Sequence, residues 1–196
     1  MPRLVTFGCS HVYGLELDDC LTVNDPPSKL GFSTTLSNML GREELNRSDT
    51  GASSKQITAT VLETEFRKTD IVVINWSIPS RRGVWNGRYW EQLASWQEEE
   101  VWQRFFAKYQ NDYDDCLDFF MNANLANYFL KNRVSQTINS LHTYNKLIIK
   151  NPPSWNNVNI DIVFKKFGYY KALKDGHPNK RTHDIFAKRL FKLINE

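Results

Sequence analysis

Hydrophobic and polar positions in the first half of the chain follow three strand–loop–helix units. Apolar runs of strand length lie at residues 4–7 and 70–76, and the second run is rich in β-branched residues and almost continuous. Such runs are typical of parallel strands that are buried on both faces. A shorter strand is expected at about 43–46, and helices are expected at 31–41 and from about 53 to 66. This alternation predicts a doubly wound parallel sheet.

The pattern changes at residue 82, where long stretches of helical periodicity begin and continue to about residue 145. This region is longer than one crossover connection needs, so we expect a helical insertion at about 82–132, followed by the crossover helix. A fourth strand is predicted at 147–150 and an irregular segment at 154–172. The last element is a helix from about 180 to 194, whose apolar residues lie on one face.

The composition is that of an ordinary soluble protein, with 41% hydrophobic and 24% charged residues. The length suits one domain over residues 1–196. A net charge of +3 is too small to indicate a nucleic-acid partner, and no run is long enough to cross a bilayer. Because no signal peptide precedes the first strand, we expect a cytoplasmic protein, with presence in a virus particle as an alternative. The sequence indicates no oligomeric state.

A serine follows the first predicted strand in the stretch Phe7-Gly8-Cys9-Ser10. In open α/β sheets, ligands bind beyond the carboxyl ends of the strands, so Ser10 is placed where a nucleophile is useful. The alternative is that Ser10 only caps the following helix. An acyl-transfer site also needs a base, a group that orients the base, and hydrogen-bond donors for the oxyanion.

The chain has four histidines from which the base can come. His177 lies between a glycine and a proline just before the last helix, and Asp175 is close enough to hold its imidazole in one tautomer. His183, in the first turn of that helix, is the alternative base. We expect His11 to be a loop residue and His142 to be solvated near the end of a helix.

Three groups are candidate donors to the oxyanion. They are the backbone N–H of Ser10, the backbone N–H of Gly51 in a loop of small residues, and the side-chain amide of Asn75 at the end of the third strand. Aromatic residues crowd residues 85–113, where packed core is the favoured interpretation and a sugar-binding platform is the alternative. The three cysteines lack metal-ligand spacing, and the sequence indicates neither a metal nor a cofactor.

Four sequence blocks resemble, in order and spacing, those of the SGNH/GDSL hydrolase superfamily, and together they cover nearly the whole chain. They are residues 7–14 with Ser10 at the nucleophile position, 46–57 with Gly51 at an oxyanion position, 72–81, and 175–179 with the Asp175–His177 pair. The resemblance implies a three-layer α/β/α, flavodoxin-like fold and ester hydrolysis without a metal. It also implies acyl substrates such as acetylated sugars, lipids or thioesters.

The chain departs from the family pattern in three places. Cys9 stands where the founding motif has aspartate, and Asp175 is one residue closer to His177 than in the best-known members. The third block has no Gly-x-Asn-Asp, so that Asn75 lies slightly early. We predict a serine esterase that removes a small acyl group from a carbohydrate. The alternative is a non-catalytic binding or structural module of the same fold, such as a phage virion component.

Overall fold

The computed structural model describes residues 1–94, 99–142, 153–164 and 176–196 of the chain. The predicted strand at 147–150 lies outside these residues. Within them, strands and helices alternate through the first half of the chain as the hydrophobic pattern predicts.

The elements of the described residues are numbered here in chain order. The strands are β1 (Arg3–Gly8), β2 (Glu43–Asn46), β3 (Ile71–Trp76), β4 (Arg82–Trp85), β5 (Trp90–Leu93), β6 (Gln136–Leu141) and β7 (Ile162–Val163). The helices are α1 (Ser10–Tyr13), α2 (Phe32–Leu40), α3 (Ser54–Leu62), α4 (Glu100–Tyr109), α5 (Asp112–Leu130) and α6 (Lys180–Asn195). A parallel sheet of five strands has the order β2-β1-β3-β6-β7, which is the order of a flavodoxin-like doubly wound sheet.

Helices cover both faces of this sheet, because alternate strand residues point to opposite sides. On one face α2 and α6 pack in a cluster that contains Leu4, Val73, Ile138, Phe32, Leu36, Phe186 and Leu190. On the other face α3 and α5 pack in a cluster that contains Val5, Val72, Ile74, Ile57, Val61, Phe119 and Phe120. The fold therefore has three layers, α/β/α, as expected. No helix in the described ranges combines the length and apolar character needed to cross a membrane.

The prediction that a helical insertion begins at residue 82 is wrong at its beginning, whereas helices do follow from residue 100. β4 and β5 form an antiparallel hairpin in which Trp85 pairs with Trp90. The turn contains Asn86 and Gly87, and Gly87 has a φ of +97°, which favours glycine. An Asn-Gly pair between strand-forming residues is a known hairpin signal, which the sequence analysis missed because helical periodicity follows it.

The helical prediction is also wrong at β6, which is the fourth strand of the sheet that the structure describes. Its sequence, Gln-Thr-Ile-Asn-Ser-Leu, is too polar to be read as a buried strand. The polar groups are nevertheless paired inside the protein. The Trp76 indole N–H donates to Asn139 Oδ1 at 3.0 Å, and Ser140 Oγ donates to the Ile74 carbonyl oxygen at 3.2 Å. Hydrogen bonds to tertiary neighbours thus offset the cost of burying these side chains.

An ion pair joins the amino-terminal ends of β1 and β3. Arg3 Nη2 lies 2.6 Å from Asp70 Oδ2, and Arg3 Nε donates to Asp70 Oδ1 at 3.2 Å. The Asp70 carboxylate is completely buried and also accepts the Arg67 backbone N–H. Burial by itself would raise the pKa of Asp70, but the hydrogen bonds from Arg3 and Arg67 outweigh it and hold the pKa below its ordinary value.

We expect Asp70→Asn to lower the free energy of unfolding by about 3 kcal/mol, because it leaves the Arg3 guanidinium without its buried partner. Urea denaturation at pH 7 measures this change. Glu100→Gln is the matched control, because its exposed pair with Arg104 should contribute less than about 0.5 kcal/mol. Equal stability of the two variants would contradict the role of the Arg3–Asp70 pair.

Candidate active site

Ser10 lies at the carboxyl end of β1 as the first residue of α1. The chain leaves the strand at Gly8 and enters the helix through Cys9, whose backbone is extended. A β-carbon at Gly8 would collide with Val12 Cγ2 and lie 2.8 Å from the Asn75 carbonyl oxygen. The missing side chain at Gly8 therefore lets α1 pack directly onto the end of the strand. Ser10 is held there with 8% of its surface exposed.

His177 lies next to Ser10. Its Nε2 atom is 2.9 Å from Ser10 Oγ, which is within hydrogen-bond distance. His177 precedes α6, whose N-cap residue Asn179 accepts a hydrogen bond from the Thr182 N–H at 3.1 Å. The capped helix end fixes the position from which the imidazole reaches Ser10. A hydroxyl and an imidazole at this distance have the arrangement of a nucleophile and its base.

The second ring nitrogen of His177 faces a carboxylate that the sequence analysis did not single out. Nδ1 lies 3.3 Å from Glu16 Oε2, within ion-pair distance but outside hydrogen-bond geometry. Asp175, which was expected beside this ring, lies outside the described residues. No spacing rule indicates Glu16, because only the packing of the start of α6 beside the loop after α1 brings the two side chains together.

His183 occupies a different environment from His177. It is completely buried, and its Nδ1 accepts the Phe32 N–H at 3.1 Å. Phe32 is the first residue of α2, so His183 satisfies one of the donors that the start of that helix leaves unpaired. Burial lowers the pKa of His183 to about 4, which keeps the ring neutral at pH 7. The geometry favours His177 over His183 as the base.

His11 and His142 form a ring pair beside His177, contrary to expectation. His11 is part of α1, and its ring centroid lies 3.9 Å from that of His142 and 5.2 Å from that of His177. His142 directly follows β6 and is not in a helix. Burial, reinforced by the neighbouring histidines, lowers the pKa of His11 well below 6.5. In the described ranges, no group of three or more His, Cys, Asp or Glu side chains is arranged to hold a metal ion.

Gly51 lies in a loop that a hydrogen bond fastens to the end of β1. The Asp49 N–H donates to the Gly8 carbonyl oxygen at 3.1 Å, and Gly51 itself has a φ of +74°, which favours glycine. The Ser10 N–H belongs to the first turn of α1, where a helix leaves N–H groups without intrahelical partners. The Gly51 loop and the Ser10 turn therefore meet at the same end of the sheet.

Asn75 is completely buried in β3, in register with Gly8 of β1 and Ser140 of β6. Within the described part of the chain, neither Oδ1 nor Nδ2 of its side chain makes a hydrogen bond. Buried polar groups are nearly always paired, so an amide in this state requires an explanation. Among the described residues, the Asn75 side chain thus has an unused donor, Nδ2, and an unused acceptor, Oδ1, beside the carboxyl end of β1.

The β4–β5 hairpin packs against the Gly51 loop. A β-carbon at Gly51 would lie 3.2 Å from Gln92 Cγ, a tight contact that shows how closely this hairpin side chain approaches the loop. The Trp85 and Trp90 rings contact each other across the hairpin, with centroids 5.7 Å apart. Trp85 and Tyr89 are 53% and 60% exposed. An aromatic surface thus stands next to the loop that carries Gly51.

No protein-family model and no curated protein matches this sequence. Solved structures do match it. One is a carbohydrate esterase whose active site is described as having divergent catalytic and non-catalytic binding functions, with a TM-score of 0.61 and 10% identity over 100% of this chain and 68% of that chain. Another is a family two carbohydrate esterase from Clostridium thermocellum in complex with cellohexaose, with a TM-score of 0.55 and 13% identity over 99% of this chain and 64% of the other.

A protein of the G-D-S-L family from Desulfitobacterium hafniense DCB-2 also matches, with a TM-score of 0.54 and 12% identity over 98% of this chain and 99% of that protein. The chain thus spans about two thirds of the two carbohydrate esterases and nearly all of the G-D-S-L protein. At these identities the similarity establishes the fold alone.

We expect the stability of the protein to fall as the pH drops from 6.5 to about 4, in part because of His183. The unfolded state binds a proton on this ring near pH 6.5 and the folded state only near pH 4, so protonation favours unfolding across that window. This difference between the pKa of His183 in the unfolded and in the folded state corresponds to about 3 kcal/mol in the free energy of unfolding. His183→Asn keeps an acceptor for the Phe32 N–H but does not titrate, so its unfolding free energy should change less between pH 6.5 and 4. Parallel curves for the two proteins would contradict this assignment.

Proposed function

We propose that this chain, whose fold is that of the SGNH/GDSL hydrolases, is a serine esterase with Ser10 as nucleophile and His177 as general base. The observation that carries the proposal is the 2.9 Å distance between Ser10 Oγ and His177 Nε2. The fold similarity to carbohydrate esterases and to a G-D-S-L family protein supports an esterase-like activity.

In the first half of the reaction, Ser10 Oγ attacks the acyl carbonyl carbon while His177 Nε2 takes the hydroxyl proton. The tetrahedral intermediate collapses, the His177 imidazolium returns the proton to the leaving alcohol, and an acyl-serine remains. In the second half, His177 Nε2 takes a proton from water as the water oxygen attacks the acyl-serine carbonyl carbon. The second tetrahedral intermediate then collapses, the imidazolium returns the proton to Ser10 Oγ, and the carboxylic acid is released. For Nε2 to accept a proton, Nδ1 must carry the ring hydrogen of the neutral imidazole.

Three donors are proposed for the oxyanion. The hydrogen bond that holds the Gly51 loop against the end of β1 supports the assignment of the Ser10 N–H and the Gly51 N–H as donors. The assignment of the Asn75 amide as the third donor is supported by its burial without a hydrogen-bond partner in the described residues. Together they would stabilise the negative charge that develops on the carbonyl oxygen.

The substrate class proposed is a small acyl ester, such as an acetyl ester, of a carbohydrate. Two features support it. The solved structures similar to this chain include carbohydrate esterases, one of them in complex with cellohexaose. The exposed rings of Trp85 and Tyr89 lie on the hairpin that packs against the Gly51 loop, and aromatic faces suit the apolar faces of sugar rings.

We expect Ser10→Ala to lower the hydrolysis of p-nitrophenyl acetate by at least about a thousandfold, because the nucleophile is lost. A fluorophosphonate probe should label the wild-type protein at Ser10 and should not label this variant. Ser154→Ala changes an exposed serine and is the control, which should keep both the hydrolysis rate and the labelling by the probe. Equal rates for wild type and Ser10→Ala would overturn the proposal and favour a non-catalytic binding module.

We expect Asn75→Leu to reduce kcat about a hundredfold, because one oxyanion donor is lost. The same substitution should leave the free energy of unfolding unchanged or raise it, because it removes two buried polar atoms without partners. Steady-state kinetics and urea denaturation of the same preparation measure the two effects. A stable variant with wild-type kcat would show that Asn75 is not a donor.

A further inference from the structure

The base of the proposed esterase needs a group that holds its ring, and the described residues offer one in an unexpected place. His177 uses Nε2 toward Ser10, so the orienting group must act on Nδ1. Glu16 Oε2 lies 3.3 Å from this Nδ1 atom. A neutral imidazole held by a carboxylate at Nδ1 presents its Nε2 lone pair to the nucleophile.

The backbone of Glu16 is in a conformation that its residue type disfavours. Its φ is +71°, in the left-handed region, which costs a residue with a side chain on the order of 1 kcal/mol or more. The Glu16 N–H donates to the Cys20 carbonyl oxygen at 2.7 Å, and the Leu17 N–H donates to the Gly14 carbonyl oxygen at 3.2 Å. The loop therefore fixes Glu16 in this conformation, with its carboxylate directed at His177.

Burial strengthens the interaction between the two side chains. The Glu16 side chain is 15% exposed and that of His177 is 14% exposed. A carboxylate so placed is screened from an imidazolium much less than in a surface ion pair. It would stabilise the positive charge that His177 acquires when it takes the Ser10 proton.

We propose that Glu16 is the positioning acid of this site, so that the functional triad is Ser10–His177–Glu16 and its acid comes from the loop after the nucleophile. This inference rests on the proposed esterase function. The contact of 3.3 Å between His177 Nδ1 and Glu16 Oε2 is outside hydrogen-bond geometry in this structure. We expect it to shorten when the imidazolium forms, so that the Nδ1–H then donates to Glu16 Oε2. Asp175, in the segment before His177, is then not required for this task.

We expect Glu16→Gln to lower kcat for p-nitrophenyl acetate by about a hundredfold or more with little change in KM, because an amide can present its N–H group and favour the wrong tautomer. Glu16→Asp should recover part of the rate, since it restores the charge on a shorter side chain. Asp18→Asn is the matched control, because it removes an exposed carboxylate from the same loop and should keep wild-type kcat. Asp175→Asn should reduce kcat less than Glu16→Gln does.

A second readout does not depend on catalysis. The proton on His177 Nδ1 should give a downfield NMR resonance in wild type and Glu16→Asp, and this resonance should be lost in Glu16→Gln. In addition, Glu16→Gly relieves the left-handed strain, so we expect it to be at least as stable as wild type in urea while losing kcat. Stability and activity that fall together would indicate a merely structural role for Glu16.

The outcomes separate this inference from the esterase proposal. If wild-type protein neither hydrolyses the ester nor reacts with a fluorophosphonate at Ser10, the esterase function fails, and the NMR resonance alone decides whether Glu16 positions His177. If wild type is active and Glu16→Gln keeps its kcat and the resonance, the assignment of Glu16 is overturned. If Asp175→Asn loses both kcat and the resonance while Glu16→Gln keeps them, Asp175 is the residue that positions the His177 ring.

Discussion

The close approach of α1 to the end of β1 is the constraint on which the candidate site depends. Gly8 makes it feasible, because any side chain there would meet Val12 of the helix and the backbone of β3. The approach turns the first residue of α1, Ser10, toward the carboxyl end of the sheet. It also leaves the Gly8 carbonyl oxygen to receive the Asp49 N–H, which brings the Gly51 loop beside the same strand end. One missing side chain thus aligns two of the segments from which the site is built.

The site collects polar groups that a stable core would avoid. Asn75 is buried with its amide unpaired in the described residues, and Glu16 has a left-handed backbone. Each feature lowers the stability of the folded state, and the packing of the surrounding layers must offset this cost. By contrast, the Asn139 side chain pairs with Asn127 and Trp76, and His183 Nδ1 accepts the N–H at the start of α2. These hydrogen bonds hold elements of the fold together, whereas Asn75 and Glu16 are the groups that we assign to chemistry.

The sequence predicted three of the five described strands of the sheet, because β1 and β3 are almost continuous apolar runs of strand length. It failed at β6, since burial of Asn139 and Ser140 depends on tertiary partners that no local pattern contains. It also failed at the hairpin, whose Asn-Gly turn it missed beside the helical periodicity that follows. Ser10 and His177 could be paired by motif and spacing. Glu16 could not, because its relation to His177 exists only once the start of α6 packs beside the loop that follows α1.

The proposed dyad of Ser10 and His177 would couple catalysis to the docking of α6. Ser10 lies at the end of the first strand, whereas His177 lies at the start of α6, and α6 is held in place by its apolar packing on α2 and by the contact of His183 with Phe32. During synthesis the nucleophile therefore emerges long before its base and remains an ordinary, weakly reactive alcohol. Under the proposed function, Ser10 would be activated only after α6 has docked, so a partly made chain would lack the esterase activity.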